Sequence, residues 1–542
     1  MRKSLLPPVW HHYIYIFALV ILVVGLPLSQ FLMSLSQIIL AANYLLEGNL
    51  VGKWRSFFKN KTALVLCSLF LMHFIGLIWT SDFDFAWNDI RVKMPLLVLP
   101  VILSTAQPIS KKNFEIILYF FVAAISVGTV ISMFALAGYI NGEAGTRVVD
   151  VREASIFISH IRFALLIDIA IFVCGYFIYH SKNNFFRLCG IILIMWLVIF
   201  LVIIESMTGL VALGLASVIV VLFAALRSSK KVLKIAGIAF VFGVIGFGGF
   251  VVSCLMQPPL PTEKIDFSKT DWLTPRGKVY YTDSTARMAE NGHLIWTYVC
   301  DEELESAWNK RSGIKFSGTD LKGNPLRYTL IRFLASKGLR KDQDGVNALS
   351  DDEVKAIERG AVNVDYQDIS SIAGRLHEIK WELDLYHETG DPNGHSLTMR
   401  FEFWKAALKI IKAHPLIGVG TGDLAVAYKD QYRKMNSPLK EEWRLRSHNQ
   451  YLAIGIGFGL AGLLWFLFTL FYPMIHEKKM FDYLYITFFI IAIVSFLTED
   501  TLETQAGVTF FAFFNAFFLF RTRQTPTSQT PVVSKTPGVS AV

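Results

Sequence analysis

"RSHNQYLAIGIGFGLAGLLWF", residues 446–466, joins a basic-polar head (Arg446, Ser447, His448, Asn449) to an apolar run dotted with glycines. Continued to residue 475, the run exceeds the ~20 apolar residues that a helix needs to cross a hydrocarbon layer. It reads as a membrane helix with a histidine at its mouth. At 100° per residue, Gly455, Gly459 and Gly462 fall within about 40° of the His448 direction. One face is then a seam of small residues that lets another helix approach closely, with His448 at its outer end. On periodicity alone, an interfacial polar residue topping a packing seam is the simpler account of the histidine.

The rest of the chain agrees with a membrane setting. Of its 542 residues, 53% are hydrophobic, 14% aromatic and 18% charged, which fits the soluble globular class poorly. Twelve segments meet or approach the crossing length: 12–28, 30–47, 62–80, 89–105, 114–140, 156–179, 187–204, 207–226, 232–256, 449–475, 483–498 and 505–520. The expectation is an all-α polytopic membrane protein of about 12 transmembrane helices. Met1-Arg2-Lys3 leads into the first apolar run with no small-residue cleavage site behind it, so that run is expected to stay as an anchor.

The net charge of +9 raises the question of a nucleic-acid partner, but the basic residues gather between apolar runs, as topology signals do, and none is expected. Lys53/Arg55/Lys59/Lys61, Lys111/Lys112, Lys182/Arg187, Arg227/Lys230/Lys231/Lys234, Lys478/Lys479 and Arg521/Arg523 all fall on one side, the cytoplasm, with both termini. The organisation expected is spans 1–9 within residues 1–256, a large and mainly helical external insertion over 257–447, and spans 10–12 within 448–522. A Pro/Thr/Ser-rich tail over 523–542 reads as disordered. In a bacterium with two membranes the insertion would occupy the periplasm.

Within the insertion, Ser350-Asp351-Asp352-Glu353 has capping-box spacing and Gly360 is a natural stop. "DQDG" at 342–345 hints at a calcium loop, yet Arg340 takes the first ligand position of that register. No CxxC or His/Cys metal spacing occurs; Cys254 with Cys300 is a conceivable but unsupported disulfide.

Several basic residues are candidates for chemistry. "SLTMRFEFWKAALKIIKAHPLIGVGTGD", 396–423, reads as an amphipathic helix with Phe401, Trp404, Leu408 and Ile411 on one face, ended near His414-Pro415. Arg400 borders that face; the bland account is contact with lipid phosphate. "GVGTG" after it could present backbone N–H groups to an anion, though it lacks the Lys-Ser/Thr of a P-loop. Arg446 ends a basic approach to the membrane that suits an anionic headgroup, and a solvated face explains it as well. Arg147 and Arg152 lie in the loop after the fifth span. Arg162 sits just inside the sixth, where a charge costs ~2.5–3.5 kcal/mol and calls for a partner such as Asp168 or a polar cavity.

Taken together, these residues resemble the O-antigen ligase and polymerase superfamily of bacterial membrane glycosyltransferases, and most of all an O-antigen ligase. The family pattern is His-Asn/Ser/Gln, nine residues, then Gly-x-x-Gly, where a large external loop meets the next span. Here His448-Asn449 is followed by residues 450–458 and then Gly459-Leu460-Ala461-Gly462. The upstream "R…W…HPLIGVGTG" of 400–422 resembles the start of the same module, placed at about 396–475, and twelve spans with internal termini resemble the ligase topology. Two features depart from the pattern. Ser206-Met207-Thr208-Gly209 stands where an arginine or lysine is often found, and the 257–395 insertion exceeds the usual loop.

The resemblance implies transfer of a glycan from undecaprenyl diphosphate to a hydroxyl acceptor such as lipid A-core sugar, at the periplasmic face of the inner membrane, with no cofactor and no required metal. His448 is the expected general base and Arg400 the first diphosphate ligand, with Arg162, Arg147, Arg152 or Arg446 assisting. The same motif allows an O-antigen polymerase or a protein O-oligosaccharyltransferase. A lipid or polysaccharide transporter would explain the many helices and the intramembrane arginine, but not a histidine motif at a loop boundary.

Overall fold

A computed structural model of the chain describes residues 6–140, 148, 151–257, 263–367 and 372–521. Arg147, the side chain of Arg152 and the 523–542 tail lie outside the described residues. Among the described residues the regular structure is helical apart from isolated bridges in the insertion and one hairpin of two-residue strands, Ala289–Glu290 with His293–Leu294, turned by Asn291 and Gly292 at positive φ.

Among the described residues, eight helices are long and apolar enough to cross a membrane: Pro8–Leu28, Lys61–Trp79, Lys111–Leu136, His160–His180, Asn184–Ile203, Met207–Arg227, Lys231–Leu255 and Gln450–His476. A ninth candidate is the pair Gln30–Leu46 and Leu50–Lys59, bent by 111° at a short break. Three expected spans are shorter helices. Residues 89–105 divide at Met94-Pro95 into Phe83–Lys93 and Pro95–Thr105, because Pro95 cannot donate into a continuing helix. Tyr483–Thr498 and Gln505–Phe520 have 16 residues each, about 24 Å of helix.

All of these helices except Lys231–Leu255, which packs outside against Met207–Arg227, contribute to one apolar cluster. His160–His180 lies near its centre, with Lys111–Leu136, Asn184–Ile203, Met207–Arg227 and Tyr483–Thr498 around it. Gln505–Phe520 is buried along its length, and its phenylalanines stack on one another and on Phe114 and Phe488.

A second core belongs to the insertion alone, from Ile295 to Ala361, centred on Trp308, Leu330 and Phe333. Its Asp351–Glu358 helix opens on the capping box of Ser350 and Glu353, and Gly360 follows its end at φ 92°. The "DQDG" carboxylates are engaged within the fold: Asp342 caps the Gln343–Asn347 helix and accepts the Tyr280 hydroxyl, while Asp344 pairs with Arg276. All five cysteines are free thiols, so Cys254 and Cys300 are not bridged.

The glycine-dotted helix departs from the expected straight seam. Its backbone breaks at Gly459, whose φ 64° and ψ −161° suit glycine alone. The break frees the carbonyls of Ile456 and Gly457 from the N–H groups of Leu460 and Ala461, their partners in an unbroken helix. The 415–420 segment inserts between them. Val419 and Gly420 donate to Ile456 O and Gly457 O at 2.9 and 2.8 Å, while Leu460 and Ala461 donate to Pro415 O and Leu416 O at 2.8 and 3.2 Å. Every group released by the break is therefore satisfied, as membrane-depth backbone requires. The glycines admit a crossing strand of backbone rather than a second helix: an added Cβ would stand 2.4 Å from Leu416 C at Gly459, and 2.4 Å from Gly457 C at Gly418.

Candidate functional site

The Ser396–Ala413 helix ends at His414, as its sequence indicates, but its buried stripe is Met399, Phe403, Ala406 and Ile410. Phe401 and Leu408, expected on that face, are exposed, because the helix turns its other side to Leu424–Lys434 and to the start of Gln450–His476. Arg400, Phe403 and Trp404 share one flank, at i, i+3 and i+4. Trp404 Nε1 donates to Ser447 O at 2.9 Å, and the Phe403 ring lies 5.9 Å from the His448 ring.

His448 precedes the helix rather than belonging to it. It takes φ 45°, and Asn449 is the N-cap, accepting from Leu452 N at 3.1 Å. The left-handed turn aims the imidazole off the helix axis, so it is not the top of a glycine face. Asn449 Nδ2 donates to Leu497 O at 3.0 Å. Gln450 accepts from Leu502 N at 2.7 Å and donates to Glu503 at 3.2 Å. The His-Asn-Gln run thus presents its first residue and uses the next two to clamp the loop "TEDTLETQ", 498–505.

That loop supplies the acidic half of the site, which sequence reading left as a connection. Glu499 Oε2 and Asp500 Oδ1 each lie 3.8 Å from His448 Nδ1, a buried nitrogen with no hydrogen-bond partner. Arg400 Nη2 is 3.4 Å from the other oxygen of Glu499. Glu503, its side chain only 6% exposed, receives Lys93 Nζ at 3.1 Å and stands 3.6 Å from Arg446. Lys93, itself buried, also pairs with Asp89. Burial alone would raise the Glu503 carboxyl, but Lys93 and then Arg446 outweigh it and hold it well below the usual range. Burial and then the Glu503 charge raise Asp500, against His448 and Arg446.

The structure brings together His448, Asn449, Arg400 and Arg446 around the acidic loop. Arg162 lies in the first turn of His160–His180 with Nε buried and without a hydrogen bond, and Asp168, fully buried, has none at either oxygen. The two do not pair, since six residues of helix turn the side chains apart. Three of the five N–H groups of "GVGTG" are engaged within the fold. Val419 and Gly420 bind the broken helix and Gly422 donates to Thr80 Oγ1 at 3.1 Å.

The ligand atoms of His448, Glu499 and Asp500 lie within 4.8 Å of one another, the spacing of a group able to hold a metal ion among the described residues. Arg400 already supplies a positive charge to Glu499 there.

No curated protein matches the chain significantly. A family model described as O-antigen ligase matches residues 349–467, starting at 349 rather than 396 and ending at 467 rather than 475. The match contains Arg400, His448 and the broken-helix glycines, and ends before the acidic loop. The chain is a multi-span membrane protein that carries an O-antigen ligase family domain over residues 349–467.

Proposed function

We propose that the protein is a glycosyltransferase that moves a glycan from undecaprenyl diphosphate to a hydroxyl acceptor, lipid A-core sugar, at the periplasmic face of the inner membrane. The observation that carries this reading is the pairing of His448 with Glu499 and Asp500 beside Arg400, inside a domain of this family. The acceptor oxygen attacks the anomeric carbon, and its proton passes to His448 Nε2. The bond from that carbon to the diphosphate oxygen breaks, and undecaprenyl diphosphate leaves with the electron pair. Glu499 and Asp500 stabilise the imidazolium across 3.8 Å.

Arg400 and Arg446 face the departing diphosphate, exchanging Glu499 and Glu503 for its oxygens. Arg162, whose buried Nε makes no hydrogen bond, is a further candidate for the same anion, with Arg147 and Arg152. The topology that goes with this reading has twelve crossings, both termini in the cytoplasm and the insertion outside, with the bent pair, the divided pair Phe83–Lys93 and Pro95–Thr105, and the two 16-residue helices completing the eight long spans.

The test uses purified protein with lipid-linked glycan and core lipid. Glycan attached to core lipid without ATP, and lost in His448→Ala protein of normal yield, supports the reading. Chain growth on undecaprenyl diphosphate with no core attachment would instead make the protein a polymerase, and transfer to a polypeptide would make it a protein glycosyltransferase.

A further inference from the structure

A cleft of about 570 Å³ opens between the end of the Lys231–Leu255 helix and the insertion. Phe250, Leu255 and Gln257 form one side. The other combines the Asn291 turn with Tyr366, His377 and Trp381. Its volume is that of a small-molecule site, about 300–1,000 Å³.

The insertion wall is built rather than incidental. Glu290 has no exposed side-chain surface and is held by Arg332 at 2.6 Å, Asn363 at 3.0 Å and His377 at 3.5 Å. Arg332 backs the Trp381 ring at 3.8 Å, and His377 stacks on Tyr366 at 4.3 Å and 23°. Asn291 is fixed through its amide by Asp365 at 2.9 Å and Ser336 O at 3.1 Å. These groups hold the wall rigid, and its aromatic faces beside the lining carboxylates of Asp365, Asp384 and Glu388 match the two surfaces of a sugar, its C–H face and its hydroxyl edge.

Charge decides against two other occupants. Asp365, Asp384 and Glu388 line the cleft against Lys380, which is paired with Asp384 at 3.0 Å, so the cleft disfavours a diphosphate. The same charged groups disfavour an acyl chain. Position then connects the cleft to the reaction. It abuts the end of a membrane helix, where the first sugars of a lipid-borne glycan lie. Trp381 also packs 5.6 Å from His395, the N-cap of the helix that carries Arg400 about 7 Å further along.

We propose that this cleft is a glycan-binding subsite that grips a short run of neutral sugars of a lipid-borne substrate; the identity of that substrate rests on the glycosyltransferase reading above. The experiment measures binding alone, on full-length His448→Ala protein in nanodiscs. The probes are the soluble core oligosaccharide and the soluble O-antigen glycan, each released by mild acid from lipopolysaccharide of the source organism, with inorganic pyrophosphate as a third. One of the two glycans is expected to bind and thereby to identify acceptor or donor as the source. Trp381→Ala and Tyr366→Ala should each weaken it about tenfold, and pyrophosphate should not compete.

A diazirine-bearing form of the binding glycan, cross-linked to protein with an intact cleft, should label residues 365–366 or 376–388, which covers the case of a variant that does not fold. Binding by neither glycan, unchanged affinity in both variants, or cross-links confined elsewhere overturns the proposal. Because no turnover is read, a failure of the His448 mechanism leaves this result standing, and the reverse holds as well.

Discussion

Arg400 and His448 share one carboxylate: Glu499 presents Oε1 to Arg400 Nη2 at 3.4 Å and Oε2 to His448 Nδ1 at 3.8 Å. The group expected to grip the leaving diphosphate and the group expected to take the acceptor's proton are coupled through it. When Arg400 turns to the diphosphate, both oxygens of Glu499 become available to a developing imidazolium. Glu499→Gln should therefore lower kcat by about tenfold, short of the about 10²–10⁴ lost with the base itself, because Asp500 still faces Nδ1. Adding Asp500→Asn should deepen the loss. Arg400→Lys should raise the donor KM, since an ammonium cannot grip two oxygens in one plane. Initial rates at varied donor concentration check all three, and wild-type kcat in the doubly substituted protein would remove the carboxylates from the mechanism.

The buried charges behind the site make a stability prediction. Lys93 lies between Asp89 and Glu503, and Glu503 also faces Arg446. Removing one partner leaves an uncompensated charge, so Lys93→Met should cost about 3–5 kcal/mol, and Glu503→Gln in the same protein should recover part of it. Glu503 is held below its unfolded value, so its contribution is present at neutral pH and is lost as pH falls through and below the ordinary carboxylate range. Thermal unfolding followed from neutral to acid pH should show that loss in the wild type, and less of it in Glu503→Gln.

The spacing of His448, Glu499 and Asp500 makes metal a direct question. With Arg400 already on Glu499, a cation would have to displace a guanidinium as well as gather three ligands. Exhaustive treatment with EDTA should leave the rate of transfer unchanged. Loss of activity restored by one divalent ion would reassign these residues as its ligands and His448 as a ligand rather than a base.

Sequence made some of this site legible and hid the rest for physical reasons. The His448-Asn449 spacing to Gly459 and Gly462 is local, and it pointed to the histidine and to the glycines. Their use was misjudged, because projection at 100° per residue assumes an unbroken helix and Gly459 breaks it. Glu499, Asp500 and Glu503 stand some 50 residues from His448. In "TEDTLETQ" they look like any polar loop, and only Asn449 and Gln450, whose amides reach Leu497, Leu502 and Glu503, carried a signal for them. Lys93 was hidden inside a segment read as one span, which Pro95 divides.

The break itself gives the sharpest contrast between glycines. At Gly418 and Gly459 φ is positive, and an added Cβ would stand 2.4 Å from backbone atoms of the opposing segment. No side-chain rearrangement relieves a backbone clash, and the four interchain-like hydrogen bonds between 415–420 and 456–461 depend on that approach. Gly418→Ala and Gly459→Ala should each lose more than the about 1–3 kcal/mol of the backbone conformation alone, and should move the His448 turn from its acidic partners. Gly243 and Gly246, on the Lys231–Leu255 helix, meet nothing within 4 Å, and alanine there should leave yield and melting temperature unchanged or slightly raised. Fluorescence-detected size exclusion across a temperature series separates the two pairs. Equal tolerance at all four positions would show that the helix closes over the break and that the crossing segment does not hold it open.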